Sequence, residues 1–487
     1  MMDPSAQAEV SAFLAGLAGS GALETHVSAV FRGANAVWKL KKAVRLGFLD
    51  FSDVGARLHF LERELEINAA FAPGLYRDVV AVTREGAGLA LGGGGAVVDW
   101  VLRMARVPEG DFLDEMAAAG RVDTPLLRAL ADEVAAMHRV QPLLGCDDPV
   151  ARMRAVAAGN ADAAGAAGLD KSLVGAWERG MAAALGRAAS LLQARAPLVR
   201  RAHGDLHLGN LLMWRGQPTP FDALEFDEEL ATIDPGYDLA FLLMDLEMKV
   251  SRGAANLVLC RYVALTGDAG LVGGLGPFLS MRAMIRAHVA ASRGREAGAL
   301  IRAAMEYLAP GRAVVVAIGG LMGSGKSTLA RAVAPGLGAA PGALVLRSDE
   351  VRKRLAGVAP EVGLPESGYS AEATRRTQAA LMEGVRAAVV GGHAVIVDGT
   401  FLDASQQEDV ERAAREGGAP FLGVWLEAPL GELERRVSAR QNDASDATMA
   451  VLRAAAANAL PAKGWMRVKA GSLEEMQQRV QSRLAVL

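Results

Sequence analysis

The stretch that most constrains this chain's fold is an apolar run leading directly into a glycine loop and then a helical pattern. It reads AVVVAIGGLMGSGKSTLA, residues 313–330. Within it, Gly320, Gly325, Lys326 and Ser327 satisfy the spacing G-x-x-x-x-G-K-[ST]. Glycines there let backbone N–H groups approach a phosphate at a helix N-terminus whose dipole favours anions. Lys326 is then expected to neutralise β/γ oxygens and Ser327 to hold Mg2+, with Gly323, Ser324 and Thr328 completing the nucleotide loop. A plain glycine turn with a solvated lysine would not call for the strand before it and the helix after it, and both are present.

The residues that follow alternate strand and helix. ALVLRSD, HAVIVDGTF and PFLGVWLEAP read as strands, separated by helical stretches such as EATRRTQAALMEGVRAAVVGG. Strict alternation predicts a parallel sheet covered on both faces, an α/β P-loop domain over 312–487. Three further features point to a kinase. In RSDEVRKRL, Asp349 and Arg352 lie three apart, so a carboxylate to take a hydroxyl proton and an arginine to grip the acceptor can share a helix face. The competing reading makes Asp349 a helix cap. Asp398 ends the apolar strand VIVDGT, at the edge where such sheets place ligands and where a metal would sit. Arg436 and Arg440, four apart in ERRVSARQ, suit a lid that closes on phosphates; they equally suit a solvated helix face.

The first half raises a separate question in HGDLHLGNLL, residues 203–212. Asp205 and Asn210 stand five apart, and Asp222 follows in FDALEF. That order fits an acid to orient and deprotonate a hydroxyl, followed by two Mg2+ ligands. Upstream, Lys39 on a strand and Glu64 on a helix supply the ion pair that orients phosphates in kinases. Val37, Lys39 and Lys41 fall on one strand face. His203 reads as a brace for the loop. The glycine run 92–95 reads as closing a hairpin, because it leads into a strand. Strand-rich to about 108 and helix-rich from 111, this half predicts an α+β fold. Pro310 and Gly311 place a boundary near 309–312, giving a first domain over 1–308.

Composition narrows the partners. The 487 residues are 51% hydrophobic and 22% charged, with a formal net charge of −3. No bulk positive charge supports nucleic-acid or anionic-membrane binding. The two cysteines, Cys146 and Cys260, make neither a disulfide framework nor a zinc cluster, so a reducing cytoplasm is expected. No apolar run is long enough to span a bilayer.

HGDLHLGNLL, FDALEF and DPGYDLAFLLMDLE resemble the aminoglycoside-phosphotransferase-like kinases. Together with GGLMGSGKSTLA, RSDEVRKRLAG and VIVDGTF, the chain resembles the bacterial bifunctional aminoglycoside phosphotransferase/ATP-binding proteins over nearly its full length. The resemblance implies a bilobal, protein-kinase-like fold for about 1–305, with Lys39 and Glu64 as the ion pair, Asp205 as catalytic acid-base, and Asn210 and Asp222 as metal ligands. For about 311–487 it implies a small P-loop kinase similar to gluconate, shikimate and polynucleotide kinases. No G-x-G-x-x-G precedes Lys39, only RGAN at 32–35.

The expected function is therefore an ATP- and Mg2+-dependent phosphotransferase with two kinase-type domains, each acting on a small-molecule hydroxyl such as that of a sugar or aminosugar. Two alternatives stay open: the C-terminal half phosphorylates nucleic-acid 5′ ends, or one domain is a nucleotide-gated switch for the other.

Overall fold

The computed structural model describes residues 4–25, 27–46, 49–439, 444–446, 448–459 and 463–487. The chain divides into two compact units. One runs to Val122 and includes Arg200–Ile233; the other comprises Asp123–Val199 and Asp234–Leu487.

The first unit is built on an antiparallel sheet in the order Leu23–Glu24, Ser28–Arg32, Ala36–Lys41, Ala96–Ala105, Tyr76–Glu85, Gly88–Leu91. Lys39 pairs with Val30 on one side and Leu102 on the other, so its strand is internal. The glycine run differs from expectation. Gly88–Leu91 and Ala96–Ala105 both pair with Tyr76–Glu85, on opposite sides, so residues 92–95 cross from one flank of that strand to the other. A Cβ on Gly95 would stand 1.9 Å from the Arg84 carbonyl oxygen, and the Gly95 amide donates to Glu85. Backbone approach, not a tight turn, selects glycine there.

Against this sheet lies the helix Val54–Phe71, capped by Asp53, whose carboxylate accepts from the Ala56 amide. Its buried stripe is Arg57, Leu61, Glu64, Ile67 and Asn68, spaced at three and four residues. Three of those five are polar, so the stripe does more than pack. Arg57 and Asp99, both without exposed surface, form a two-pronged pair at 2.9 and 3.1 Å that fixes the helix to the sheet. Residues 211–220 form a hairpin in which Leu211 faces Pro220, with Arg215 and Gly216 at the turn, both at positive φ. The hairpin returns the chain so that Asn210 and Phe221 adjoin, the Phe221 amide donating to the Asn210 carbonyl at 3.1 Å.

The second unit holds a helical group, from Thr124 to Leu198 and from Pro235 to Glu306, and a parallel sheet in the order Leu344–Arg347, Val395–Asp398, Val315–Gly320, Phe421–Glu427, Met466–Lys469. Every residue of Val315–Gly320 is buried, as a strand covered on both faces requires. Leu344–Arg347 is an edge strand, yet its edge is not open. The helix Arg252–Thr266 lies along it: Asn256 donates to the Ala343 carbonyl at 2.9 Å, and the Val345 amide donates to Cys260 Sγ at 3.3 Å. Two side chains of a helix thus stand in for a missing neighbour strand. This is why residues 234–308 fall in one unit with the parallel sheet. Among the described residues no helix is long and apolar enough to cross a membrane.

Candidate active sites

In the first unit, the internal strand brings Lys39 Nζ to 2.7 Å from Glu64 Oε1 and 2.5 Å from Asp222 Oδ1. Lys41, on the same face two residues on, contacts Glu64 Oε2 at 2.9 Å and also Glu225. Two lysines therefore meet three carboxylates. Burial pushes the Glu64 carboxyl up, but Lys39 and Lys41 outweigh it and bring it down to about 2. Glu225 moves the other way, raised by burial. Desolvation lowers Lys39, but Asp222 and Glu64 outweigh it and leave it well above the usual ammonium range.

Asp222 sits at φ 59°, left-handed backbone that a non-glycine residue adopts only when its surroundings insist. Its amide donates to the Tyr76 hydroxyl at 2.9 Å. The next amide, Ala223, donates to Asn68 Oδ1 at 2.8 Å, while Asn68 Nδ2 donates to the Glu64 carbonyl at 3.0 Å. Glu64 and Asn68, one helical turn apart, thus hold the lysine and the Asp222 segment together.

The loop before the hairpin is fixed as closely. His203 Nδ1 accepts from the Asp205 amide (3.3 Å) and its Nε2 meets the Phe221 carbonyl (2.9 Å), a set that fits the neutral Nε2–H ring. Asn210 Nδ2 donates to both the carbonyl (3.0 Å) and the Oδ2 (2.9 Å) of Asp205. That orientation leaves the Asn210 side-chain oxygen, with the Asp222 carboxylate, as hard oxygen donors of the kind Mg2+ takes, and the residues fit such an ion. The Asp205 carboxylate is 44% exposed, with His207 Nε2 3.5 Å from its Oδ2.

In the second unit, Gly320, Gly323 and Gly325 have φ of 132°, 82° and 96°. A Cβ on Gly320 would lie 2.5 Å from the Leu426 carbonyl oxygen, so glycine is obligatory. The helix Lys326–Val333 starts at the end of this loop. Lys326 Nζ donates to the Leu321 carbonyl at 2.9 Å, folding over the loop. Ser324 Oγ is buried and has no hydrogen-bond partner, an orphan that a phosphate oxygen would satisfy, so the loop fits a nucleotide. Thr328 is exposed.

Ser327 Oγ lies 2.6 Å from Asp398 Oδ2. Parallel register brings Asp398 beside Ile318 on one side and Arg347 on the other. Asp349 and Arg352 share the helix Ser348–Leu355. Burial raises the Asp349 carboxyl, opposed by Arg347, and Ser445 hydrogen-bonds it. Arg352 donates to the Gly368 carbonyl (3.0 Å) and Thr374 (3.3 Å) and lies over the Tyr369 ring. Arg436 reaches the loop, donating to the Gly323 carbonyl at 3.2 Å, and pairs with Glu432. Arg440 lies outside the described residues.

Sequence reasoning missed Asn68, Glu225, Arg347 and the buried Lys353, whose Nζ meets both Asp446 oxygens at 2.7 Å. Of these, Arg347 opens RSDEVRKRL and Glu225 lies within FDALEF, and Lys41 shares the Lys39 strand face.

Two stretches of the chain match known families. Residues 61–270 match the phosphotransferase enzyme family, and residues 315–461 match an AAA domain. The chain carries a phosphotransferase-family domain followed by a P-loop kinase domain. It is a phosphotransferase enzyme. An uncharacterized protein of Mycobacterium tuberculosis is 28% identical over 475 residues, spanning 89% of each chain. An adenylyl-sulfate kinase of Myxococcus xanthus is 34% identical over 117 residues, covering 24% of this chain and 59% of that one. Among solved structures, a gluconokinase from Sinorhizobium meliloti is 19% identical (TM-score 0.26), covering 35% of this chain and 91% of that one. A choline kinase from Cryptosporidium parvum is 10% identical (TM-score 0.37), with 59% and 86% covered.

Proposed function

We propose that the chain transfers the γ-phosphoryl group of ATP to hydroxyls of small molecules at two centres, one in a domain spanning about 1–308 and one in 312–487. The observation that carries this reading is the convergence of Lys39 on Glu64 and Asp222, with Asn210 holding Asp205 on the adjoining loop. That set suits phosphate positioning beside an acid.

At the first centre Glu64 holds Lys39 toward the nucleotide phosphates. Asp205, oriented by Asn210, accepts the proton of the attacking hydroxyl. Asn210 and Asp222 would hold Mg2+. At the second, the loop 320–325 and Lys326 cradle the phosphates, with Arg436 beside the loop as a lid residue. Asp349, its carboxyl raised by burial, takes the acceptor proton in this reading, and Arg352 grips the acceptor. Ser327, next to Asp398, would hold the metal of this centre. When bound, Mg2+ would offset charge on the β and γ phosphate oxygens.

The test is a mass-spectrometric screen with isotope-labelled ATP against sugars, aminosugars, polyols and adenylyl sulfate, the compound named by one relative. Wild type, Asp205→Ala and Lys326→Ala are run in parallel. Each variant is expected to lose a different product, by at least about 100-fold. Loss of the same single product in both variants would overturn the two-centre reading.

A further inference from the structure

Arg347 is 6% exposed and ends the edge strand Leu344–Arg347, immediately before the helix bearing Asp349. Strand register sets it beside Asp398. Among its contacts, Nε donates to Asp398 Oδ2 at 3.1 Å, Nη2 to Ser327 Oγ at 3.0 Å, and Nη1 to Glu350 Oε1 at 3.0 Å. A permanent positive charge therefore touches both residues at which a divalent ion of the P-loop would be sought.

The donor arithmetic at Ser327 is restrictive. A hydroxyl has one proton and two acceptor sites. With Arg347 donating to Ser327, the serine proton goes to Asp398 Oδ2, 2.6 Å away. One lone pair of Ser327 remains. Asp398 Oδ2 already accepts from two donors, and its charge is met by an arginine that cannot lose its proton.

We propose that Arg347 is a resident cation of this site. It neutralises Asp398, makes that carboxylate the acceptor of the Ser327 proton rather than a direct metal ligand, and keeps divalent-metal affinity low. The proposal rests on the nucleotide-and-metal reading of the P-loop. Because the third edge of Arg347 holds Glu350, one side chain joins the metal position to the helix that carries Asp349 and Arg352.

The test is Mn2+ binding, followed by electron paramagnetic resonance with a non-hydrolysable ATP analogue. The full chain is used in an Asp222→Asn background, which removes a proposed ligand of the first centre. Arg347→Met is expected to bind Mn2+ about tenfold more tightly, because repulsion is removed and Asp398 is freed. Arg347→Lys keeps the charge and is expected to stay within about threefold of the background protein. The charge-neutral pair Arg347→Met with Asp398→Asn is expected to do the same, since neither group is a ligand. Unchanged or weaker binding in a folded Arg347→Met would overturn the proposal, as would loss of binding in the double variant. Should Lys326→Ala leave Mn2+–nucleotide binding untouched in that background, the P-loop reading itself would fall instead.

Discussion

Lys41 has no exposed surface and stands between two carboxylates, 2.9 Å from Glu64 and in contact with Glu225. Glu64 has a second partner in Lys39, whereas Glu225 is held by Lys41. Lys41→Met should therefore strand Glu225 in a buried place and destabilise the first unit by about 3–5 kcal/mol. Pairing it with Glu225→Met should recover most of that loss, because two apolar side chains of similar volume replace the ion pair. Urea unfolding of both variants checks this; equal losses would mean that Lys41 matters through its contact with Glu64 rather than with Glu225. A second buried group gives a pH dependence. Burial lowers His393 to about 4, and its ring meets the Gly342 carbonyl at 2.9 Å. The folded pKa lies below the unfolded 6.5, so the unfolded chain binds the extra proton. Stability is fully present above that unfolded value and is lost as pH falls toward about 4, by up to about 3 kcal/mol. His393→Gln should flatten that descent in pH-dependent unfolding curves.

At the scale of elements, what could be read from the sequence was what lies close together along it. The P-loop, its strand and its helix form one continuous stretch, and Asp205 and Asn210 lie five residues apart, so their chemistry is written in spacing. Asn68 on Ala223, Lys41 on Glu225 and Arg347 on Ser327 depend on which strand neighbours which, and no local period encodes that. The glycine run 92–95 misled for a related reason. Leading into a strand is equally true of a hairpin and of a crossing between flanks, and only the pairing of both strands with Tyr76–Glu85 separates them. The helix Arg252–Thr266 was read as one more helix of the first half, yet it completes a sheet of the second. Asn256→Ala should leave the Ala343 carbonyl with only the long Cys260 thiol contact, at a cost of about 1–3 kcal/mol to the second unit. Faster hydrogen exchange along residues 343–347 than in the rest of the sheet would show it; an unaltered exchange pattern would mean that Asn256 does not secure this edge.

For the whole molecule, the boundary near 309–312 separates two family matches, but it does not separate two closed cores. Residues 234–308 and the parallel sheet belong to one compact unit. Cutting the chain before residue 312 would strip the helix Arg252–Thr266 from the edge strand Leu344–Arg347, and with it the groups that meet the Ala343 carbonyl and the Val345 amide. Val345 and Leu346, 5% and 6% exposed in the intact chain, would lose their cover on that side. An apolar edge strand with open hydrogen-bonding groups pairs with other copies of itself. The fragment 312–487 is accordingly expected to elute from a sizing column as higher-order species, while the full chain run beside it does not. If the fragment stays dispersed and its edge amides exchange as slowly as in the full chain, the edge needs no cover, and the P-loop domain is independent of the helices that precede it.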